Sequence, residues 1–435
     1  MSSLFNEAGN DSVLPPELRA THLGAERRRR QTHHSMVNVA TSPAAPGRQA
    51  SCRLGAVLGL VSCLFAPLPA AAQTSAVQTC QLGDLTLESG AVIPNFRMTY
   101  ITHGMLNVDR SNAILSIHGL RGNRDAQSFL AGPGKALNTD RYFVIQPDTL
   151  GVASMDPNAT TSPTRSGMNM NFPRFTIRDM VKAEHRMITE CLEIRHLVAV
   201  IGISMGGIGS MQWAVSFPDF MDAVIPIVPQ AHAHRQGNFI WEAARQAIML
   251  DPKWRNGNYP ADDPPRRGTG VGINIQNAFG FSADAFGEMF RDRAAVDGFF
   301  ASTTEQLGAT TQARDWIYRT WAIVNHDIAQ TPPFNGDLPA AARSIRARLL
   351  LMPNCYDQLL APGESGVMEV AAHAPNAKIV DLDDIAGHSG NSTPRSVTVI
   401  TAEVQDLLKR IADGRPGFSG PRIPRHWTRE DRCSG

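Results

Sequence analysis

The run Gly202-Ile203-Ser204-Met205-Gly206 sets a serine between an apolar stretch at 197–203 and a segment at 207–217 with helical spacing. A serine with glycines two places away on either side, at the end of a buried strand and the start of a helix, marks a tight strand-turn-helix corner. Side chains at 202 and 206 would collide across such a corner, so both positions are glycine. A glycine-rich turn with a solvent-facing serine is the plainer alternative, and the flanking periodicity argues against it. A chain built around this corner needs a mostly parallel sheet covered by helices.

The remaining text agrees. Buried strands are expected at 112–118, 142–147, 197–203, 223–228, 348–353 and 378–383, and helices at 180–191, 207–217 and 396–411. Between 229 and 340 this rhythm stops. Helical stretches at 239–250 and 283–290 surround the loop Pro260-Ala261-Asp262-Asp263-Pro264-Pro265, which reads as a helical cap inserted into the sheet domain. The expected organisation is an N-terminal extension with a signal peptide at 1–72, sheet domain at 73–228 and 341–412, cap at 229–340, and a tail at 413–435 rich in Gly, Pro and Arg.

Arg48 and Arg53 precede an apolar run at 54–68 that ends in Pro69-Ala70-Ala71-Ala72-Gln73, the pattern of a signal peptide cleaved after Ala72. Pro67, Pro69 and several glycines leave this run short for a membrane anchor, which is the competing reading. Leu60-Val61-Ser62-Cys63 resembles a lipoprotein box, but the apolar run continues past Cys63. Met36 rather than Met1 would begin an ordinary signal peptide. A periplasmic or secreted protein without stable membrane insertion is therefore expected, with membrane-anchored or cytoplasmic placement as the alternative. Export permits disulfides among Cys80, Cys191, Cys355 and Cys433, whose pairing the sequence leaves open. Cys80 and Cys433 lie near the two ends and could staple the tail to the body; Cys355 also reads as a small buried hydrophobe. With 41 basic against 40 acidic side chains and a net charge of +1, no field gathers nucleic acid.

A serine hydroxyl is a weak nucleophile until a base takes its proton, and the base needs an acid to fix its tautomer. Asp357, just beyond the strand at 348–353, and His388, in the loop after 378–383, follow Ser204 in the order serine, acid, histidine. Asp381, Asp383 and Asp384 are nearer to His388 in the chain, but that nearness puts them on or just after its own strand, where a surface-charge role is expected. Met205 supplies one backbone N–H for an oxyanion. His118-Gly119-Leu120-Arg121-Gly122 supplies the other, from Leu120 in preference to Gly119, with His118 ordering the loop. His232-Ala233-His234 has no further ligand at a telling interval, so neither metal nor cofactor is expected.

Several segments together resemble the homoserine O-acetyltransferase family of α/β-hydrolase-fold proteins. They are 100–107 leading into Asn112-Ala113-Ile114-Leu115; Phe172-Pro173 with Thr176-Ile177-Arg178-Asp179-Met180-Val181; Ser204-Met205-Gly206-Gly207; and Arg245-Gln246-Ala247-Ile248 with Asp251-Pro252, Trp254, Gly257 and Tyr259. The resemblance spans about 82–411. It implies the α/β-hydrolase fold with a helical cap, the triad Ser204, Asp357 and His388, and a homodimer formed through the caps. It also implies an aspartate after the catalytic histidine to hold a substrate amine, and an arginine and a tyrosine in the cap to hold a carboxylate. Here those positions are Ser389, Ile273 and Gly280, and no Arg or Tyr occurs from 268 to 282. Leaving both charges of an amino acid unpaired in a pocket is unfavourable by several kcal/mol. The expected activity is hydrolysis of a small-molecule carboxylic ester, lactone or amide, in a pocket lined by Ile273, Phe279, Phe281 and Ser389. The alternatives are acyl transfer from acetyl-CoA to another acceptor, or a non-catalytic binding protein on the same scaffold.

Overall fold

The computed structural model describes residues 76–152 and 159–418. The expected signal peptide, Cys433 and the end of the tail lie outside the described residues. Eight strands form one sheet: β1 (Gln78–Thr86), β2 (Val92–His103), β3 (Ala113–Ile117), β4 (Phe143–Pro147), β5 (Leu197–Ile203), β6 (Met221–Ile227), β7 (Arg348–Leu351) and β8 (Ala377–Ile379). Their order is β1-β2-β4-β3-β5-β6-β7-β8. From β4 to β8 every neighbour pair is parallel, while β1–β2 and β2–β4 are antiparallel. Every residue of β3, β4 and β5 is buried, as strands covered on both faces require, hence their unbroken apolar text. The hairpin β1–β2 was not expected. Its first strand buries Cys80, Leu82 and Leu85 at irregular intervals, because register shifts fall at 81–83 and 83–85. Such bulges blur the period-two signal.

Helix α1 (Ile177–Arg186) opens at Thr176, whose hydroxyl accepts from Asp179 N while the Asp179 carboxylate accepts from Thr176 N. That capping box starts the helix three residues before the expected position, and a π-type turn at Met187–Cys191 ends it. Helix α2 (Met205–Ser216) begins at Met205 rather than Gly207 and is buried almost throughout. Between β6 and β7 the chain is helical: α3 (Arg235–Met249), α4 (Arg266–Gly280), α5 (Ala283–Met289), α6 (Arg293–Thr310), α7 (Ala313–Val324) and α8 (Leu338–Arg343). Helices α9 (Val367–His373) and α10 (Pro394–Ala412) return to the sheet, the latter capped by Thr393 with proline at its first position. Among the described residues no helix is long and apolar enough to cross a membrane.

Cys80 is bonded to Cys191 across 111 residues, which ties the edge strand β1 to the turn after α1. The staple from Cys80 to Cys433 is thereby excluded. Cys355 is disulfide-bonded as well, which excludes its alternative reading as a small buried hydrophobe.

Candidate active site

Ser204 stands at φ 59°, ψ −119°, a left-handed backbone that a non-glycine residue adopts only when the surroundings hold it there. The holding is close packing of backbone on backbone. A Cβ at Gly202 would lie 2.1 Å from Gly206 O, and one at Gly206 would lie 2.0 Å from Ile117 O. The serine amide donates to Ile227 O at 2.9 Å, which anchors the corner to β6. Strand β5 aims the chain into the corner and α2 leads it out.

The loops after β7 and β8 complete the site. Ser204 Oγ is 2.8 Å from His388 Nε2, and His388 Nδ1 is 2.6 Å from Asp357 Oδ2. The His388 side chain is 8% exposed and that of Asp357 2%, so the relay is shielded from water. The other carboxylate oxygen of Asp357 accepts from Leu359 N and Leu360 N, both at 2.9 Å. Of the competing acids, Asp383 pairs on the surface with Arg395, and Asp381 accepts from Cys355 N and Asp383 N. Asp384 is buried but accepts from Thr393 Oγ1, Ser396 Oγ and Ala386 N instead of the imidazole. It fixes the histidine loop from below, together with Asn354, whose Nδ2 donates to Asp384 O and Gly387 O. At 6% exposure, Asp384 is therefore not the surface charge expected from the sequence.

The loop after β3 presses against the serine, since a Cβ at Gly119 would come within 3.4 Å of Ser204 Cβ. His118 orders this loop. Its Nδ1 donates to Gly119 O at 2.8 Å and its Nε2 accepts from Thr149 N at 3.3 Å, which defines a neutral ring. Burial pushes the imidazole down to about 4. The N–H groups of Leu120 and Met205 have no hydrogen-bond partner among the described residues, and Met205 lies in the first turn of α2, where helical N–H groups are unpaired. Met205 adjoins the serine in the chain, and Leu120 lines the same cavity as the serine.

A cavity of about 260 Å³ opens over Ser204 and His388. Its walls are the loop at 119–122, Gln276, Asn277 and Gly280 of α4, and Ser389, Asn391 and Ser392. Ser389 lines it as expected, and a Cβ on Gly280 would sit 3.2 Å from the Ser389 hydroxyl. Ile273, Phe279 and Phe281 do not line it. Ile273 is fully buried in the core, Phe279 packs against that core, and Phe281 stacks edge-on against Phe286. The face that α4 turns to the serine is carried by carboxamides, which an apolar-pocket expectation passes over. His234 caps α3 by accepting from Gly237 N, so the His232-Ala233-His234 run has a structural use. Among the described residues no group of His, Cys, Asp and Glu could hold a metal ion.

A family model described as alpha/beta hydrolase fold matches residues 112–324. A homoserine O-acetyltransferase of Nostoc punctiforme is 33% identical over 315 residues, covering 69% of this chain and 88% of that protein. One of Rhodospirillum rubrum is 31% identical over 391 residues, covering 82% and 97%. The crystal structure of an acetylester hydrolase from Corynebacterium glutamicum superposes with a TM-score of 0.69 at 25% identity, covering 77% of this chain and 96% of that one. With this sheet, this corner and these relatives, the chain belongs to the homoserine O-acetyltransferase family of the α/β-hydrolase fold and is an enzyme of the esterase or acetyltransferase kind.

Proposed function

We propose that the protein is a serine hydrolase that cleaves a carboxylic ester through an acyl-enzyme on Ser204. The observation that carries this reading is the continuous hydrogen-bonded relay from Ser204 Oγ through His388 to Asp357, with the serine held on a strained corner. His388 Nε2 takes the hydroxyl proton as Oγ bonds to the ester carbonyl carbon, and Asp357 steadies the imidazolium through Nδ1. The carbonyl oxygen becomes an oxyanion facing the N–H groups of Leu120 and Met205. The alcohol leaves with the proton from His388. Water then enters, gives a proton to His388, attacks the acyl carbon and releases the acid, which restores Ser204.

Hydrolysis rather than transfer to homoserine is favoured by the pocket. Among the described residues no Asp or Glu lines it, and Gly280 and Ser389, the positions at which the family resemblance implies a tyrosine and an aspartate, meet there. The acetylester hydrolase named among the similar structures has the same fold. The signal peptide expected from the sequence within 1–72 would favour the same choice, because water is present in every compartment and acetyl-CoA is cytoplasmic. The second reading, transfer from acetyl-CoA to an acceptor other than homoserine, rests on the homoserine O-acetyltransferases of the same family.

The test is turnover of short-chain nitrophenyl and alkyl esters with and without acetyl-CoA and candidate alcohol acceptors. Ester hydrolysis that vanishes in Ser204→Ala and is indifferent to acetyl-CoA supports the proposal. Product formation that requires acetyl-CoA would replace it with the second reading.

A further inference from the structure

We infer that Arg121 is the specificity residue of this pocket and that the substrate carries a carboxylate which it receives; this rests on the hydrolase reading above. Arg121 lies in the wall of the cavity over Ser204, one residue beyond the Leu120 N–H. It makes no hydrogen bond, ion pair or cation–π contact with any described residue. Other arginines near the site are engaged: Arg124 pairs with buried Asp148 and Arg395 with Asp383. Among the described residues lining the cavity, Arg121 is the one Lys or Arg, and none is Asp or Glu. Arg121 is exposed at this wall, so its guanidinium is hydrated and free of any competing carboxylate among the described residues, which leaves it a ready donor to the carboxylate of a ligand in the cavity.

A second observation in the same cavity points to a ligand. Gln276 of α4 lines the same cavity at 7% exposure, and its Oε1 is buried with no partner. An unpaired buried carboxamide is unfavourable unless something in the cavity completes it. Its oxygen and nitrogen are interchangeable in position, so it serves a hydroxyl, a carbonyl or an amide of the substrate equally.

The sign of the pocket also orders candidate substrates. A monoanion exchanges hydration for the guanidinium and meets no like charge in the lining. A neutral ester gains less. A zwitterion brings an ammonium group into a cavity whose lining offers no carboxylate, so it gains at one end and is penalised at the other. The expected order is therefore anion, then neutral, then zwitterion.

Matched acetyl esters test this with the full chain. The probes are 4-acetoxybutanoate, its neutral amide 4-acetoxybutanamide, and O-acetylhomoserine, which differs from the first by one ammonium group. A second pair, nitrophenyl hemiglutarate against nitrophenyl butyrate, moves the carboxylate to the acyl side. The readout is the ratio of kcat/KM for anion over neutral. It is expected to exceed about 10 in one pair, which tells which side of the ester Arg121 serves. In Arg121→Gln it should fall by about ten- to a hundredfold, the range of a hydrogen bond to a charged group, and Arg121→Lys should restore part of it.

A ratio near one in both pairs, or an unchanged ratio in Arg121→Gln, would overturn the inference. Turnover of O-acetylhomoserine above 4-acetoxybutanoate would overturn it too. If no ester is turned over, the hydrolase reading is what fails. Thermal shift with glutarate then decides Arg121 alone: stabilisation present in the native chain and absent in Arg121→Gln supports the inference, and no stabilisation in either overturns it.

Discussion

Replacing Asp357 by asparagine probes the relay at the point where its geometry is most tightly determined. Oδ1 accepts two backbone N–H bonds, from Leu359 and Leu360, each at 2.9 Å. An asparagine amide group cannot face two donors, so the carboxamide must keep its oxygen there and turn its NH2 towards His388 Nδ1. The imidazole then accepts at Nδ1, carries its proton on Nε2 and presents that proton to Ser204 Oγ. A ring in this tautomer cannot take the serine proton. The side chain is nearly isosteric and retains three of its contacts, so folding should change little while kcat drops by about 10³–10⁴, or about 4–5.5 kcal/mol of transition-state stabilisation. Steady-state kcat on a neutral ester, with the thermal midpoint measured alongside, reads both quantities. Activity within tenfold of the native chain at unchanged midpoint would refute the tautomer argument. Asp384→Asn serves as the comparison: it loosens the histidine loop through Thr393 and Ser396 without touching the imidazole, and should lower the midpoint more than Asp357→Asn does.

Other substitutions follow from the packing. Gly206→Ala places a Cβ 2.0 Å from Ile117 O and 2.8 Å from His118 O, so neither wall can yield, and soluble active protein should be lost; Gly287→Ala on exposed α5 meets nothing within 4 Å and should gain up to about 1 kcal/mol in urea unfolding. Burial raises Glu184 to about 8, where it accepts from Trp213 Nε1. Because the unfolded carboxyl titrates near 4.5, the folded state holds the extra proton between those values, and this group's contribution to stability falls as pH rises from about 4.5 to about 8. Glu184→Gln should flatten the pH dependence of the midpoint across that window; an unaltered slope would show the carboxyl ionised at neutral pH. Cys80→Ser with Cys191→Ser opens a loop whose ends are 111 residues apart and should lower stability by about 2–5 kcal/mol with kcat preserved, as judged by unfolding and ester turnover on the same sample.

What could be read from the chain divides along physical lines. The apolar strands 113–117, 143–147 and 197–203 announce themselves because both their faces are covered, and the Ser204 corner because backbone crowding allows only glycine at 202 and 206. Asp357 and His388 were legible because parallel strands deliver their loops to one edge of the sheet in a fixed order. The β1–β2 hairpin was hidden by its bulges and half-exposed face. The pairing of Cys80 with Cys191 depends on the placing of an edge strand beside a helix end, which no local pattern encodes. Asp384 was misjudged because its partners, Thr393 and Ser396, come from the following turn of chain. The pocket was misjudged because the rotation of α4 decides which side chains reach the cavity. That rotation presents Gln276 and Asn277 to the serine and leaves Phe279 against the core.

Acyl transfer to Ser204 itself is open to direct observation. The full chain is mixed briefly with nitrophenyl acetate, quenched in acid and digested, and the peptides are weighed for the gain of about 42 Da that an acetyl ester brings. The adduct is expected on the peptide containing Ser204, transient in the native chain, longer-lived in His388→Ala if it forms at all, and absent in Ser204→Ala. An adduct on a different residue, or ester hydrolysis at the native rate by Ser204→Ala, would contradict the assignment of Ser204 as the nucleophile.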